Sequence, residues 1–371
     1  MLSTVLLLSA CKGEPTTPTE GTPEPFTVAS FNAGLATGFV PGADSRLPAI
    51  ADALAAVDAD VVCLQEVWTP EQVAAIEAAV GDAFPHRHFP APSQSADATC
   101  AAGDLDALLT CLTDNCDTTC VDDVPDCAFA ACGVSFLLLP KDCMRCAMAN
   151  VGNDPAAVAD LCVSAPVEYA YDGSFGTGIL SKKPLADVEE HVFASTSNRR
   201  GVTHATIDAG VPVDVYCTHL TAVFDTIPYP RDEGGWMVEQ LEQVDELLSF
   251  MDETGGDHRV LIGDLNTGPA LPDAGIVAEA LESYQALQDG GLSSPYVELD
   301  GRCTFCASNP ILAAVGETDD VLIDHVLTTG MTASAATRIL DGEISADSCS
   351  VDLSTSALSD HYGIQVTLVA E

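Results

Sequence analysis

The chain has 371 residues, 47% of them apolar, which is enough to bury the core of one large α/β domain or two smaller ones. It carries 13 Lys and Arg against 56 Asp and Glu, a formal net charge of −43. A surface of that sign repels polyanions and sets aside nonspecific nucleic-acid binding through a basic face, although a divalent cation can offset the repulsion locally. The same charge fits solubility in salty or extracellular surroundings.

The N-terminus reads MLSTVLLLSACKGEPTTPTEGTPEPF. Its short apolar run ends in Leu8-Ser9-Ala10-Cys11, which resembles the lipobox of bacterial lipoprotein signal peptides. That resemblance implies a signal peptide over residues 1–10, cleavage before Cys11 and a lipid on its thiol. It places the protein in a bacterial cell envelope, anchored and facing periplasm or exterior, or secreted. The absence of Lys and Arg before the run departs from the pattern. Residues 11–25, rich in Thr, Pro, Glu and Gly, read as a flexible tether. No other stretch approaches the roughly 20 apolar residues of a spanning helix.

A single catalytic domain is expected over 26–371. FTVASF, residues 26–31, predicts a first strand ending at Asn32. A helix follows over 46–60, with Leu47, Ile50, Leu54 and Val57 on one face. VVCLQ, 61–65, is a second strand ending at Glu66. The next helix has Thr69 as N-cap, Pro70 at N1 and Gly81 as its stop. Residues 93–166 differ in character, being rich in Cys, Asp and Ala, with Leu105, Leu108, Leu109 and Leu112 at helical spacing. They predict an inserted helical lobe stapled by disulfides. From 175, four short strand patterns suggest an antiparallel portion of sheet. A long helix over 235–252 follows, then strands over 258–263, 321–327, 334–340 and 361–369, with a helix over 276–288. With about ten strands interleaved with helices, the architecture expected is α/β, a two-sheet sandwich with helices outside.

Nine of the 15 cysteines fall between Cys100 and Cys162. In an exported protein that density reads as disulfides, connectivity undetermined. Zinc is the competing reading, because Cys143/Cys146 and Cys303/Cys306 have ligand-like spacing. Cys63 and Cys217, inside apolar strands, are expected as buried thiols.

Polar residues recur at strand ends: Asn32 in SFNAG, Glu66 in LQEVW, His219 in THLTA, Asp264 and Asn266 in GDLNTGP, Asp324 and His325 in IDHVL, Asp360 and His361 in SDHYG. One such residue caps a turn. Gathered at one rim, four carboxylates, two carboxamides and several imidazoles suit metal-assisted chemistry on phosphate. These six segments, in this order, resemble the endonuclease/exonuclease/phosphatase superfamily, and most closely its neutral sphingomyelinase branch. The resemblance implies a four-layer α/β/β/α sandwich and metal-dependent cleavage of a phosphoester.

It implies roles as well. Glu66, Asn32 and Asp360 would hold Mg²⁺, or Mn²⁺ or Ca²⁺ in its place. His361 would be the general base, with Asp324 fixing its tautomer. Asp264 would orient the nucleophilic water, with Asn266 and His219 donating to phosphoryl oxygens. On an extended segment Asp264 and Asn266 would point the same way, with Gly263 giving them room. Arg199 and Arg200 are candidates for holding phosphate; His325 reads chiefly as a packed strand residue. The substrate expected is a lipid headgroup phosphodiester, bound by a monomeric enzyme. A surface-anchored or secreted endonuclease and a noncatalytic binding protein on the same scaffold are the alternatives.

Overall fold

The computed structural model describes residues 21–95, 99–224 and 227–371. Cys11 and the predicted signal peptide lie outside the described residues. Glu24, within the expected tether, donates its amide to the Ala209 carbonyl, so the last tether residues run along the sandwich.

In chain order the elements are β1 (Phe26–Asn32), α1 (Ala43–Ala55), β2 (Val61–Gln65), α2 (Pro70–Val80), β3 (His86–His88), α3 (Asp106–Asn115), α4 (Val124–Leu137), α5 (Lys141–Ala149), α6 (Pro155–Ser164), β4 (Gly178–Ser181), β5 (Ala186–Val192), β6 (Gly201–Asp208), β7 (Pro212–His219) and α7 (Trp236–Thr254). Then come β8 (Arg259–Asp264), α8 (Leu281–Asp289), α9 (Pro295–Leu299), α10 (Pro310–Val315), β9 (Asp324–Thr329), β10 (Met331–Ile339), β11 (Glu343–Ile344), β12 (Ser356–Ala357) and β13 (Gly363–Ala370). One sheet has the order β10-β13-β1-β2-β4-β3, the second β5-β6-β7-β8-β9, and β11-β12 form a separate ribbon. The strands missed in the sequence, β3, β11 and β12, are only two or three residues long, too short to reveal alternation. β4 leaves the expected run of antiparallel neighbours and pairs with β2 in the other sheet. The helix expected from 276 starts at Leu281, because Ile276 and Glu279 pair with Leu271 and Gly268 instead.

Period-2 alternation builds the layers. Val28, Val61, Cys63 and Ile179 of the first sheet meet Val215, Cys217, Val260, Ile262 and Val326 of the second, forming the inter-sheet core. The opposite faces pack on helices. Phe31, Val62 and Leu64 pack against Ile50, Leu54, Ile76 and Val80 of α1 and α2; Tyr216, Leu261 and Leu327 pack against Val244, Leu247 and Leu287 of α7 and α8. The result is a four-layer α/β/β/α sandwich. The α2 start is a full capping box between Thr69 and Gln72 with Pro70 at N1.

Helices α3–α6 form the inserted lobe. All 14 described cysteines are paired. Cys63 and Cys217 are not thiols: both face the inter-sheet core from opposite sheets, with Cα atoms 5.4 Å apart, and are bonded to each other. The zinc-like spacings hold no zinc pair either. Cys143 bonds Cys100, Cys146 bonds Cys162, and Cys303 bonds Cys306. Four bridges lie within the lobe, and Cys120–Cys349 ties it to the sandwich. No helix among the described residues is long and apolar enough to cross a membrane.

Candidate active site

The alternation that builds the core also builds the site. Val28, Val215, Cys217, Val260, Ile262 and Val326 point between the sheets. Continuing each strand by steps of two brings Asn32, His219, Asp264 and Asp324 onto the same face at one end of the sandwich. Register aligns them: Asn32 pairs with Gln65, His219 with Asp264, and Asp264 with Asp324. β13 runs antiparallel to β1, so His361, just before β13, arrives at the same end.

Glu66 breaks the alternation. Val62 and Leu64 face the helices, and a sixth extended residue would follow them. Instead Glu66 takes a left-handed conformation, φ 56°, and its Oε1 accepts from Asn32 Nδ2 at 3.3 Å on the cleft side. A non-glycine residue there is uncommon and costs on the order of 1 kcal/mol or more. Asn266 is also left-handed, φ 48°, and the Asp264–Asn266 segment is a turn rather than an extended run. Asp264 Oδ1 accepts from the Asn266 amide at 2.9 Å, and Asn266 Nδ2 donates to the Leu220 carbonyl at 3.0 Å. Gly263 has a different reason from the one expected: a Cβ there would strike the Thr218 carbonyl of β7.

Asn32 Nδ2 also donates to Asp264 Oδ2 at 2.8 Å, while its Oδ1 accepts from the Gly34 amide at 2.9 Å. The Asn32 carbonyl oxygen keeps a second lone pair. His361 Nδ1 lies 2.8 Å from Asp324 Oδ2, and its Nε2 3.8 Å from Asp264 Oδ2. Asp324 is held by Thr304 Oγ1, which accepts its amide, and His361 by Ser359 Oγ, which accepts its own. His219 Nε2 is 3.4 Å from the same Asp264 oxygen. Glu66, Arg200, Asn266 and Asp360 line the same cleft, about 460 Å³ in volume.

Burial and mutual repulsion set the proton affinities. Burial, then Asp360, raises the Glu66 carboxyl to about 7, and burial, then Asp324, raises Asp264 to about 6. Burial opposes charge on His361, yet Asp324 and Asp264 hold its imidazolium well above the usual histidine range. His219 is pushed well below that range by burial, Arg200 and His361. The site is thus a cluster of acids short of positive charge. Glu66 Oε2 and Asp324 Oδ1 are shielded and without a hydrogen-bond partner. Hard oxygen donors left unsatisfied in this way fit a divalent cation. Ligand atoms of Asp264, Asp324 and His361 lie within 4.8 Å of one another, but Asp324 already serves the imidazole.

Arg199 and Arg200 part company. Arg200 is buried in the cleft, 5.8 Å over the Trp68 ring, with Nη1 lacking a partner. Arg199 points away, stacked 4.5 Å over Tyr169 and donating to Ser93 Oγ. His325 occupies the opposite face of β9, with Nε2 at 2.8 Å from the Thr267 carbonyl and its ring against Tyr284. His88, His191 and His204 pair with Glu190, Glu246 and Asp214 elsewhere.

Sequence reading missed Arg46. Fully buried, its guanidinium donates to the carbonyls of Ala33, Gly34, Pro41 and Leu358, sewing the loop after Asn32 to the loop before Asp360. A lone cation at the start of an apolar helix, in a chain with 13 cations, is the signal that could have found it. Trp68 was missed as well; it stacks on Tyr171 beside His219. Gln240 and Gln243 of α7 brace the site from behind, donating to Thr221 and to the Asn266 and Ala194 carbonyls.

A model of the endonuclease/exonuclease/phosphatase family matches residues 29–361, from β1 through His361. The chain belongs to this family. No curated protein matches it in sequence. Among solved structures, sphingomyelinase C from Streptomyces griseocarneus is similar at 17% identity and TM-score 0.55, over 92% of this chain and 99% of that one. A beta toxin mutant from Staphylococcus aureus with bound magnesium ions has 14% identity and TM-score 0.55, over 92% and 98%. A mannosyl-6-phosphatase from Bacteroides thetaiotaomicron has 14% identity and TM-score 0.51, over 92% and 99%. At these identities the likeness is one of fold. Members of the family are hydrolases, phosphodiesterases among them. Seven disulfides fit an oxidising compartment outside the cytosol.

Proposed function

We propose that this protein is a metal-dependent phosphodiesterase acting on a lipid headgroup, of the sphingomyelinase or phospholipase C type. The observation that carries the phosphoesterase reading is the Asp324–His361 pair meeting Asp264, Asn32 and Glu66 at one end of the sandwich. Glu66, Asn32 and Asp360 would hold Mg²⁺, with Mn²⁺ or Ca²⁺ as substitutes, while the Asn32 amide nitrogen orients Glu66 and Asp264. The bound cation supplies Lewis-acid neutralisation of phosphoryl charge. With a cation offsetting the carboxylates that favour its imidazolium, His361 Nε2 would take the proton of the attacking water, while Asp324 on Nδ1 stabilises the imidazolium that forms. Asp264, between the two imidazoles, positions that water. His219, held neutral by its surroundings, and Arg200 donate to phosphoryl oxygens, worth about 3 kcal/mol for a well-placed donor.

Support for a lipid headgroup comes from the charge of −43, which disfavours a polyanionic substrate and tolerates a zwitterion. A lipid on Cys11 would keep a monomeric enzyme at a membrane surface. The test is parallel assay of the purified protein with Mg²⁺ against sphingomyelin, plasmid DNA and a phosphomonoester. Preferential turnover of sphingomyelin is expected. DNA degraded with sphingomyelin untouched would replace this reading by a nuclease, and no turnover at all by a noncatalytic binding protein.

A further inference from the structure

An apolar pocket sits inside the helical lobe, next to the catalytic cleft. Leu105 before α3, Leu108 and Leu112 of α3, Phe129 of α4 and Val158 of α6 wall it, and its volume is about 100 Å³ against about 460 Å³ for the cleft. The sandwich contributes Phe39 and Ile227. Phe39, 41% exposed, lines the catalytic cleft as well, so the two spaces share this side chain in their walls.

The lobe is fastened to that wall. Asp122 accepts from the amides of Gly38 and Gly42 at 3.4 and 3.1 Å, on either side of Phe39. Tyr171 donates to the Thr37 carbonyl at 3.0 Å, and Cys120–Cys349 pins the lobe a second time. Gly38, φ 90°, and Gly152, φ 80°, let the Phe39 loop lie directly on the loop that closes the pocket; a Cβ on Gly38 would meet the Gly152 backbone. Pocket and cleft are therefore held in a fixed relation. A hollow in so small a lobe costs stability. Ala128 and Ala147 stand where larger side chains would fill it. Four internal disulfides cross-link the helices around it. The polar side chains at its wall are Asn150 and Asn153, and both already donate within the lobe.

We infer that this pocket receives one alkyl chain of the substrate while the cleft holds its phosphodiester, with Phe39 in the wall of both. The inference rests on the lipid reading of the cleft. Walls without a free polar group cannot orient a polar ligand, and the occupant continuous with a phosphate-binding cleft is a tail joined to a phosphate head.

The experiment titrates metal-free protein with hexyl-, octyl- and decylphosphocholine below their micelle concentrations, using decyl maltoside as a head without phosphate. Wild type should tighten by up to about fourfold per methylene. Ala128→Trp and Ala147→Phe, which fill the pocket from different walls, should lose at least tenfold at decyl length and keep hydrolysis of bis-p-nitrophenyl phosphate. Nuclear Overhauser contacts from the decyl chain should reach the Phe129 ring in the wild type. Affinity independent of chain length, or tail contacts away from Phe129, overturns the inference. If decyl maltoside binds as well as decylphosphocholine and both are lost in the filled variants, the pocket stands and the lipid phosphodiester reading of the cleft fails.

Discussion

The end of the sandwich and the helical lobe solve the same problem by opposite means. At the sandwich end, side chains far apart in the chain are placed by strand alternation and register, and the acids they present repel one another. In the lobe, four short helices surround a hollow and are held by covalent cross-links. Rigid secondary structure permits electrostatic strain in one region; disulfides frame a small gap beside a buried apolar core in the other. The contrast teaches where each region is vulnerable.

The sharpest way to break it is to remove one cross-link from each region. Cys63–Cys217 closes a separation of 154 residues, and chain entropy assigns it about 5 kcal/mol. Cys63→Ala with Cys217→Ala should lower the melting temperature of the whole domain by calorimetry. Cys116–Cys127 spans 11 residues and is worth about 3 kcal/mol by the same argument. Its loss should speed amide exchange in α3 and α4 and leave the main calorimetric transition in place; a global shift as large as that of the first pair would show that the lobe is no separate unit.

His361→Ala should lower kcat about 10³-fold, the scale of general base catalysis, with circular dichroism unchanged. Full activity in that variant removes the assigned base. Arg200→Gln should cost about 10²-fold in kcat/KM, some 3 kcal/mol, against phosphodiesters of any head. Arg199→Gln, on the outward-facing neighbour, should cost less than about threefold, because its guanidinium rests on Tyr169. Equal losses for the two would contradict the placement of Arg200.

The acid cluster predicts a pH dependence. With the Glu66 carboxyl raised from 4.5 to about 7, the metal-free folded protein binds more protons than the unfolded chain between those values. Stability therefore falls as pH rises through that window and stays lower above it. Because Glu66 is partly open to the cleft, the contribution is discounted to about 2 kcal/mol. Glu66→Gln should flatten the fall in melting temperature between pH 5 and 8 (about 1–2 kcal/mol recovered) and abolish the gain produced by added Mg²⁺. A wild-type profile that rises over this range would contradict the cluster.

Much of the site was legible because strands have a period of two. Asn32, His219, Asp264 and Asp324 continue apolar positions of the inter-sheet core, and a polar residue in that phase stands out in sequence. What was not legible depended on backbone departures or long-range partners. The left-handed turn at Glu66 has no marker in its residue type, whereas Asn266 belongs to a type that favours that conformation. Arg46 finds one of its acceptors more than 300 residues away, at Leu358. The Cys63–Cys217 bond needs two strands to face each other across the core, which no local pattern encodes. In the lobe, helical spacing of Leu105, Leu108 and Leu112 was visible, whereas the pairing of nine cysteines was not, because spacing alone permits many connectivities.

The central claim is that these acids and imidazoles surround one divalent cation. Titration with Mn²⁺, followed by the imidazole proton resonances of the histidines, tests it directly. The account predicts that substoichiometric Mn²⁺ broadens His219 and His361 first and together, leaving His88 and His191 sharp. Broadening that begins at His88 or His191, or that spares His361, would contradict it.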